Sequence, residues 1–96
     1  MTQAHVEEMI KKEFSPIFME VVDQSSRHIK HEEDAKGWHF NMTIVSDSFA
    51  GKTMIERHKL IYKLFKPAID DATIHALALK TYTPLEWESR KNHEVC

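Results

Sequence analysis

Between Trp38 and Trp87 the hydrophobic period of this chain switches repeatedly between two and 3.6, and those switches limit the fold more than any other feature. Trp38-His39-Phe40-Asn41-Met42-Thr43-Ile44-Val45 alternates strictly, which places Trp38, Phe40, Met42 and Ile44 on one face of a half-buried strand. A turn over 46–51 follows. Thr53-Met54-Ile55-Glu56 then forms a capping box, in which the Thr hydroxyl accepts from the N3 amide while Glu56 reaches back. Apolar residues recur at helical spacing from Met54 to about Phe65, until Pro67 ends the helix and Asp70-Asp71 turns the chain. A second alternating run spans Thr73 to Leu79, and Thr83-Pro84-Leu85-Glu86 makes a second box that opens a last helix before Trp87.

Upstream of this unit, Thr2 to Phe14 reads as a helix with Val6, Met9, Ile10 and Phe14 on one stripe. Ser15-Pro16 stops it, because the residue before a proline is pushed out of helical angles. Ile17 to Asp23 alternates as a strand, Ile17, Met19 and Val21 against Phe18, Glu20 and Val22. The connection 24–37 exceeds the roughly 2–5 residues a hairpin needs. It carries Arg27-His28-Ile29-Lys30-His31 and then Glu32-Glu33-Asp34. Its composition suits a solvated loop. His28 and His31 also suit a ligand-bearing one, since imidazole is largely neutral at cellular pH.

The middle helix has two faces. Met54, His58, Ile61 and Phe65 form the stripe expected to meet the sheet, with Ile55, Tyr62 and Leu64 at its edges. His58 on that stripe reads as a hydrogen-bonded packing residue rather than a metal ligand. Lys52, Lys59, Lys63 and Lys66 form another stripe, either a solvated face or a surface for phosphates. In the last strand His75, Leu77 and Leu79 share a face and Ile74, Ala76 and Ala78 the other. Two apolar faces predict an inner position. His75 at the mouth of this strand is either a satisfied structural residue or a ligand whose ring the strand holds.

A chain of 96 residues with 42% hydrophobic content is enough for one domain with a modest core, about 5–88, followed by a frayed tail, 89–96. The net charge of −2 gives no support to avid binding of nucleic acid or membrane. The only cysteine is Cys96, so no disulfide forms within the chain, which fits a reducing compartment. Neither a membrane-length apolar run nor a secretory signal is visible. A cytoplasmic protein is expected, or a mitochondrial one if a longer precursor exists.

No Ser-His-Asp or Cys-His arrangement stands out, and the two glycines, Gly37 and Gly51, make no phosphate-binding loop, so the chain does not read as an enzyme. Structural zinc lacks its paired cysteines, although His28 and His31 make a His-x-x-His spacing. An iron–sulfur cluster takes four ligands, mostly thiolates. A cluster role therefore requires a partner that brings them, and the isolated chain is expected to be a colourless monomer.

Phe18-Met19-Glu20-Val21-Val22-Asp23, His39-Phe40, Val45-Ser46-Asp47-Ser48-Phe49-Ala50-Gly51, Arg57-His58-Lys59, Ile74-His75-Ala76-Leu77 and Thr83-Pro84-Leu85-Glu86-Trp87 together resemble the BolA family, in order and over roughly residues 5–88. The resemblance implies an α+β fold, α-β-β-α-β with a C-terminal helix and a three-stranded mixed sheet similar to class II KH domains. It also implies partnership with a monothiol glutaredoxin and a shared [2Fe–2S] cluster. Glutaredoxin and glutathione would supply thiolates, and this chain would supply His75, with His28 as a second ligand position and His31 nearby. Cluster maturation, cluster transfer or iron regulation would be the role. The alternative is a DNA-binding transcriptional regulator that uses Lys52, Lys59, Lys63 and Lys66. Phe49-Ala50-Gly51-Lys52-Thr53 holds a single glycine where a KH domain has Gly-x-x-Gly, which argues against RNA binding in the KH manner.

Overall fold

A computed structural model describes residues 2–24 and 37–95, with side chains through 90. The elements run α1 (Gln3–Phe14), β1 (Phe18–Asp23), β2 (Trp38–Val45), a 3-10 turn (Asp47–Phe49), α2 (Met54–Leu64), α3 (Lys66–Asp70), β3 (Ile74–Tyr82) and α4 (Pro84–Val95). This is the expected order with one addition. Pro67 does not end the helical segment. It sits in the first turn of α3, where its missing N–H costs nothing, so the chain bends at Phe65 and continues.

Helices α1, α2 and α4 each start where a side chain satisfies free amides, whereas α3 has no side-chain cap. The Thr2 hydroxyl accepts from the His5 amide at 3.2 Å. The Thr53 hydroxyl accepts from the Glu56 amide at 3.2 Å, and the Glu56 carboxylate accepts from the Thr53 amide at 2.9 Å. The same reciprocal pair joins Thr83 and Glu86, at 3.1 and 2.9 Å. Helix α1 closes on Ser15 in the left-handed region (φ 43°), whose amide donates to the Lys11 carbonyl.

The sheet order is β1-β2-β3, with β1 antiparallel and β3 parallel to β2. The inner strand is therefore β2, and β3 lies at an edge, contrary to the reading of its two apolar faces. The reason is a break in register: Trp38 pairs with Ile74, but His39 pairs with Ala76, leaving His75 as an extra residue. The bulge shifts the alternation by one. Ile74 points into the core before it, and Leu77, Leu79 and Thr81 turn inward after it. His75 does not share their face.

One face of the sheet carries the core. Phe40, Met42 and Ile44 of β2, with Val21 and Ile74, pack against Val6, Ile10 and Phe14 of α1 and against Phe49, Ile61, Phe65 and Ala68. The Ser46 hydroxyl, buried in this layer, donates to the Phe14 carbonyl at 2.6 Å and accepts from the Ser48 amide at 3.0 Å, fixing the end of α1 to the end of β2. Among the described residues the other face is covered at one end. There Trp87 of α4 stacks on Phe18 at 5.0 Å and meets Tyr82 at 5.3 Å, with the Arg90 guanidinium 4.5 Å above its ring. Beyond this cap the face presents Glu20, Val22, Ala76, Ala78 and Lys80 to solvent.

The inward stripe of α2 is rotated from its expected position. Met54 is 52% exposed, whereas Arg57 is 4% exposed and Ile61 is fully buried, with Leu60 and Leu64 partly covered beside them. Periodicity assigns a charged residue to the outside. Here Arg57 goes inside because its donors are met by Glu86, by the Thr81 carbonyl at 3.3 Å and by the Lys52 carbonyl at 3.0 Å.

Candidate functional site

His75 stands where β3 bulges, and a glycine allows it to be there. Gly37 has φ 88°, and a Cβ on it would lie 2.5 Å from the Ala72 carbonyl oxygen and 3.3 Å from the His75 Cβ. Without that Cβ the two strands begin close together, and the Trp38 amide donates to the Thr73 carbonyl at 2.8 Å. The extra residue places both His75 and Ala76 on the solvent side.

There His75 meets His39, which strict alternation in β2 puts on the face opposite Trp38 and Phe40. The two rings lie 4.9 Å apart, centroid to centroid, and 25° from parallel. His75 is exposed and His39 half-buried. Nothing in the spacing of either strand reveals this pair, since it depends on the register between them. A sheet order with β2 central and parallel to β3 is the information that would have predicted it.

Two hollows lie near α2, and one of them includes His75. The first, about 230 Å³, is lined by Tyr62, Ile69, Ile74, His75, Ala76 and Leu77. The Tyr62 hydroxyl donates to the Leu77 carbonyl at 3.4 Å and so ties α2 to that edge. The second, about 290 Å³, shares Tyr62 and Ile69 with it and is lined by Lys59, Tyr62, Lys63, Lys66, Ile69 and Asp70. Three of the four lysines read as a stripe are thus brought together. Lys66 is partly neutralised by Asp70 at 3.0 Å. Lys52 stands apart, before the capped end of α2, where its carbonyl accepts from Arg57.

His28 and His31 lie outside the described residues. His58 turns inward as expected, but its buried Nε2 has no hydrogen-bond partner among the described residues, which corrects its reading as a hydrogen-bonded packing side chain. No group of three or more His, Cys, Asp or Glu side chains among the described residues is arranged to hold a metal ion. Any metal or cluster held at His75 must therefore draw ligands from elsewhere. As an exposed imidazole on a paired strand, His75 fits the part of a single protein ligand completed by others.

Arg57 is the other residue that spacing missed. Its guanidinium makes a two-pronged pair with Glu86, at 2.7 and 2.9 Å. The hydrogen bond from Arg57 pulls the Glu86 carboxyl down from its ordinary 4.5 to about 2, with the Thr83 amide adding to the effect. The same bond raises the Arg57 pKa. This pair fastens the start of α4 to α2.

The family model described as BolA-like protein matches residues 10–86, a span that holds His39, Arg57, His75 and Glu86. This chain belongs to the BolA-like family. It is 41% identical over 88 residues to the DNA-binding transcriptional regulator BolA of Escherichia coli (strain K12), covering 92% of this chain and 81% of that protein. SufE-like protein 1, chloroplastic/mitochondrial, of Arabidopsis thaliana is 38% identical over 87 residues, which covers 84% of this chain and 23% of that much longer protein. The solved BolA domain of SufE1 from Arabidopsis thaliana matches with a TM-score of 0.76 at 38% identity, covering 88% of this chain and 93% of that one. The BolA-like motifs and the α+β architecture with its mixed sheet therefore stand as read from the sequence.

Proposed function

We propose that this BolA-like chain is the histidine-donating partner of a monothiol glutaredoxin, with which it shares a [2Fe–2S] cluster for cluster maturation, transfer or iron regulation, and that it is not itself an enzyme. The observation that carries the reading is His75: an exposed imidazole on a strand, placed there by a bulge and a glycine and braced by a second ring. When bound, the cluster would supply the electron and sulfide chemistry. This chain would contribute a neutral nitrogen donor whose position is set by strand pairing. Glutaredoxin and glutathione would bring the thiolates that the described residues lack. His28, on the long connection, is the second ligand position, with His31 as its neighbour.

The test is a pair of variants, each titrated with a glutaredoxin that carries its cluster and glutathione. His75→Ala should abolish or strongly alter the visible circular dichroism of the mixed cluster. His28→Ala should leave a cluster of lower stability or shifted potential. Spectra unchanged by His75→Ala but lost in His28→Ala would reverse the ranking, and no mixed cluster with the unaltered chain would end the proposal.

A second reading has its own support. The Escherichia coli relative is named a DNA-binding regulator, and Lys59, Lys63 and Lys66 line one groove. Against it stands the net charge of −2. We expect weak duplex binding that fades by physiological salt, as contacts to phosphate alone do. Specific, submicromolar binding to a promoter fragment at that salt would make regulation the primary function.

A further inference from the structure

Helix α2 holds Thr81, near the end of β3, at two atoms, and one hold is a sulfur. Arg57 donates to the Thr81 carbonyl at 3.3 Å. One turn earlier the Met54 thioether accepts from the Thr81 hydroxyl at 3.2 Å. Thr81 is 2% exposed, so its hydroxyl has no water to turn to, and Met54 is its acceptor among the described residues. Met54 itself is 52% exposed. This side chain therefore joins a buried donor to solvent. The other described methionines stand differently: Met42 is fully buried, and Met9 and Met19 are half-buried and packed against the core.

We propose that Met54 is a modification site for hydrogen peroxide, oxidised to a single sulfoxide epimer, and that the oxygen it gains loosens the hold of α2 on β3. A thioether sulfur has two lone pairs, one on each side of its C–S–C plane. The Thr81 hydroxyl takes one of them on the protein side. The other attacks an oxygen of the peroxide. The O–O bond breaks as the S–O bond forms, and the departing hydroxide takes the proton of the transferred oxygen and leaves as water. The sulfur is oxidised and the peroxide reduced, each by one electron pair. Attack through one lone pair gives the sulfur one chirality. The new oxygen points away from Thr81, and the sulfur still facing the hydroxyl carries partial positive charge and accepts poorly. A buried donor left without an acceptor destabilises the fold. The site involves neither His75 nor the lysines, so it is independent of both readings above.

The experiment exposes the folded full chain briefly to hydrogen peroxide and locates the sulfoxides by peptide mass spectrometry. Met54 should be oxidised ahead of Met9, Met19 and Met42. The Met54 peptide is then treated separately with the reductase specific for each sulfoxide epimer. One enzyme should restore nearly all of it and the other almost none, whereas after oxidation in urea each should restore about half. In the folded chain the modification should lower the melting temperature by on the order of 5 °C, the scale of one lost buried hydrogen bond in a domain of this size. Met54→Leu should keep its melting temperature through the same treatment. Thr81→Val has the same shape without the hydroxyl, so it should lose little when Met54 is oxidised. Oxidation of Met54 slower than that of Met9 or Met19, or an even mixture of epimers from the folded chain, would overturn the proposal. So would an equal loss of stability in Met54→Leu or in Thr81→Val. Should Thr81→Val not fold, the epimer ratio and Met54→Leu still decide.

Discussion

At Gly37 a missing side chain sets the position of a functional one. Its φ of 88° lies in the region that only glycine occupies freely, and an added methyl would be forced against the Ala72 carbonyl and toward His75. Gly37→Ala should cost about 1–3 kcal/mol, the usual scale for backbone strain, and should move the His75 ring signals in a proton–carbon NMR spectrum. Gly51 shares the positive φ, at 75°, but has nothing within 4 Å of an added Cβ. Gly51→Ala should therefore destabilise less in urea and leave those signals in place. Equal effects at the two positions would show that Gly37 acts only through φ. The sequence displays both glycines but not this difference, because the atoms that crowd Gly37 come from a turn far along the chain. His75 was misjudged for a related reason. Alternation predicts the face of each residue only while the register holds, and one inserted residue moved it away from Leu77 and Leu79.

Among the elements, helix starts were the most legible because a capping box is written within four residues. Both boxes form as read. The second does more than cap, since Glu86 also holds the buried Arg57. Its folded carboxyl titrates near 2 instead of 4.5, so the unfolded chain takes up the proton first. The stabilisation from Glu86 is thus complete above the unfolded value and is lost as pH falls from about 4.5 toward 2. Because the Glu86 side chain is about half exposed, solvent screening keeps the effect modest. Glu86→Gln should lower the melting temperature at neutral pH and leave a smaller further loss on acidification than the unaltered chain shows. An identical acid profile in the variant would remove Glu86 from the account. The partner in this pair was not legible, since Arg57 and Glu86 are joined only by tertiary packing and charged residues ordinarily face water. The edge position of β3 was hidden by the same bulge that displaced His75: two apolar faces arose from a shifted alternation, not from burial on both sides.

For the molecule as a whole, the sheet is covered unevenly. Among the described residues, helices α1, α2 and α3 bury one face, while α4 closes one end of the other through Trp87 and the Glu86 pair. Local stability should follow this distribution. Native-state hydrogen exchange should find the slowest amides in β2, which is bonded on both sides, and much faster exchange in α4. Protection in α4 equal to that of β2 would mean that the whole chain opens as one unit. The order of α1, β1, β2, α2 and β3 and the core face of β2 were visible in periodicity, whereas α3 was not, because a proline in a first helical turn reads as a stop. The arrangement of the strands across the sheet was not visible either, because nothing local distinguishes a central strand from an edge one.

The parallel pairing of β3 on β2 also has a consequence in time. Strand β1 meets a neighbour close to it in sequence, whereas β3 can dock only after the whole α2–α3 crossover has formed. Contacts between distant parts of a chain form late, since closing the larger loop costs more entropy. During synthesis, the imidazole of His75 would therefore reach its place beside His39 only once nearly all of the described chain has left the ribosome. A truncated or half-folded copy would present two separate histidines, so the ring contact between them is itself a mark of a completed fold.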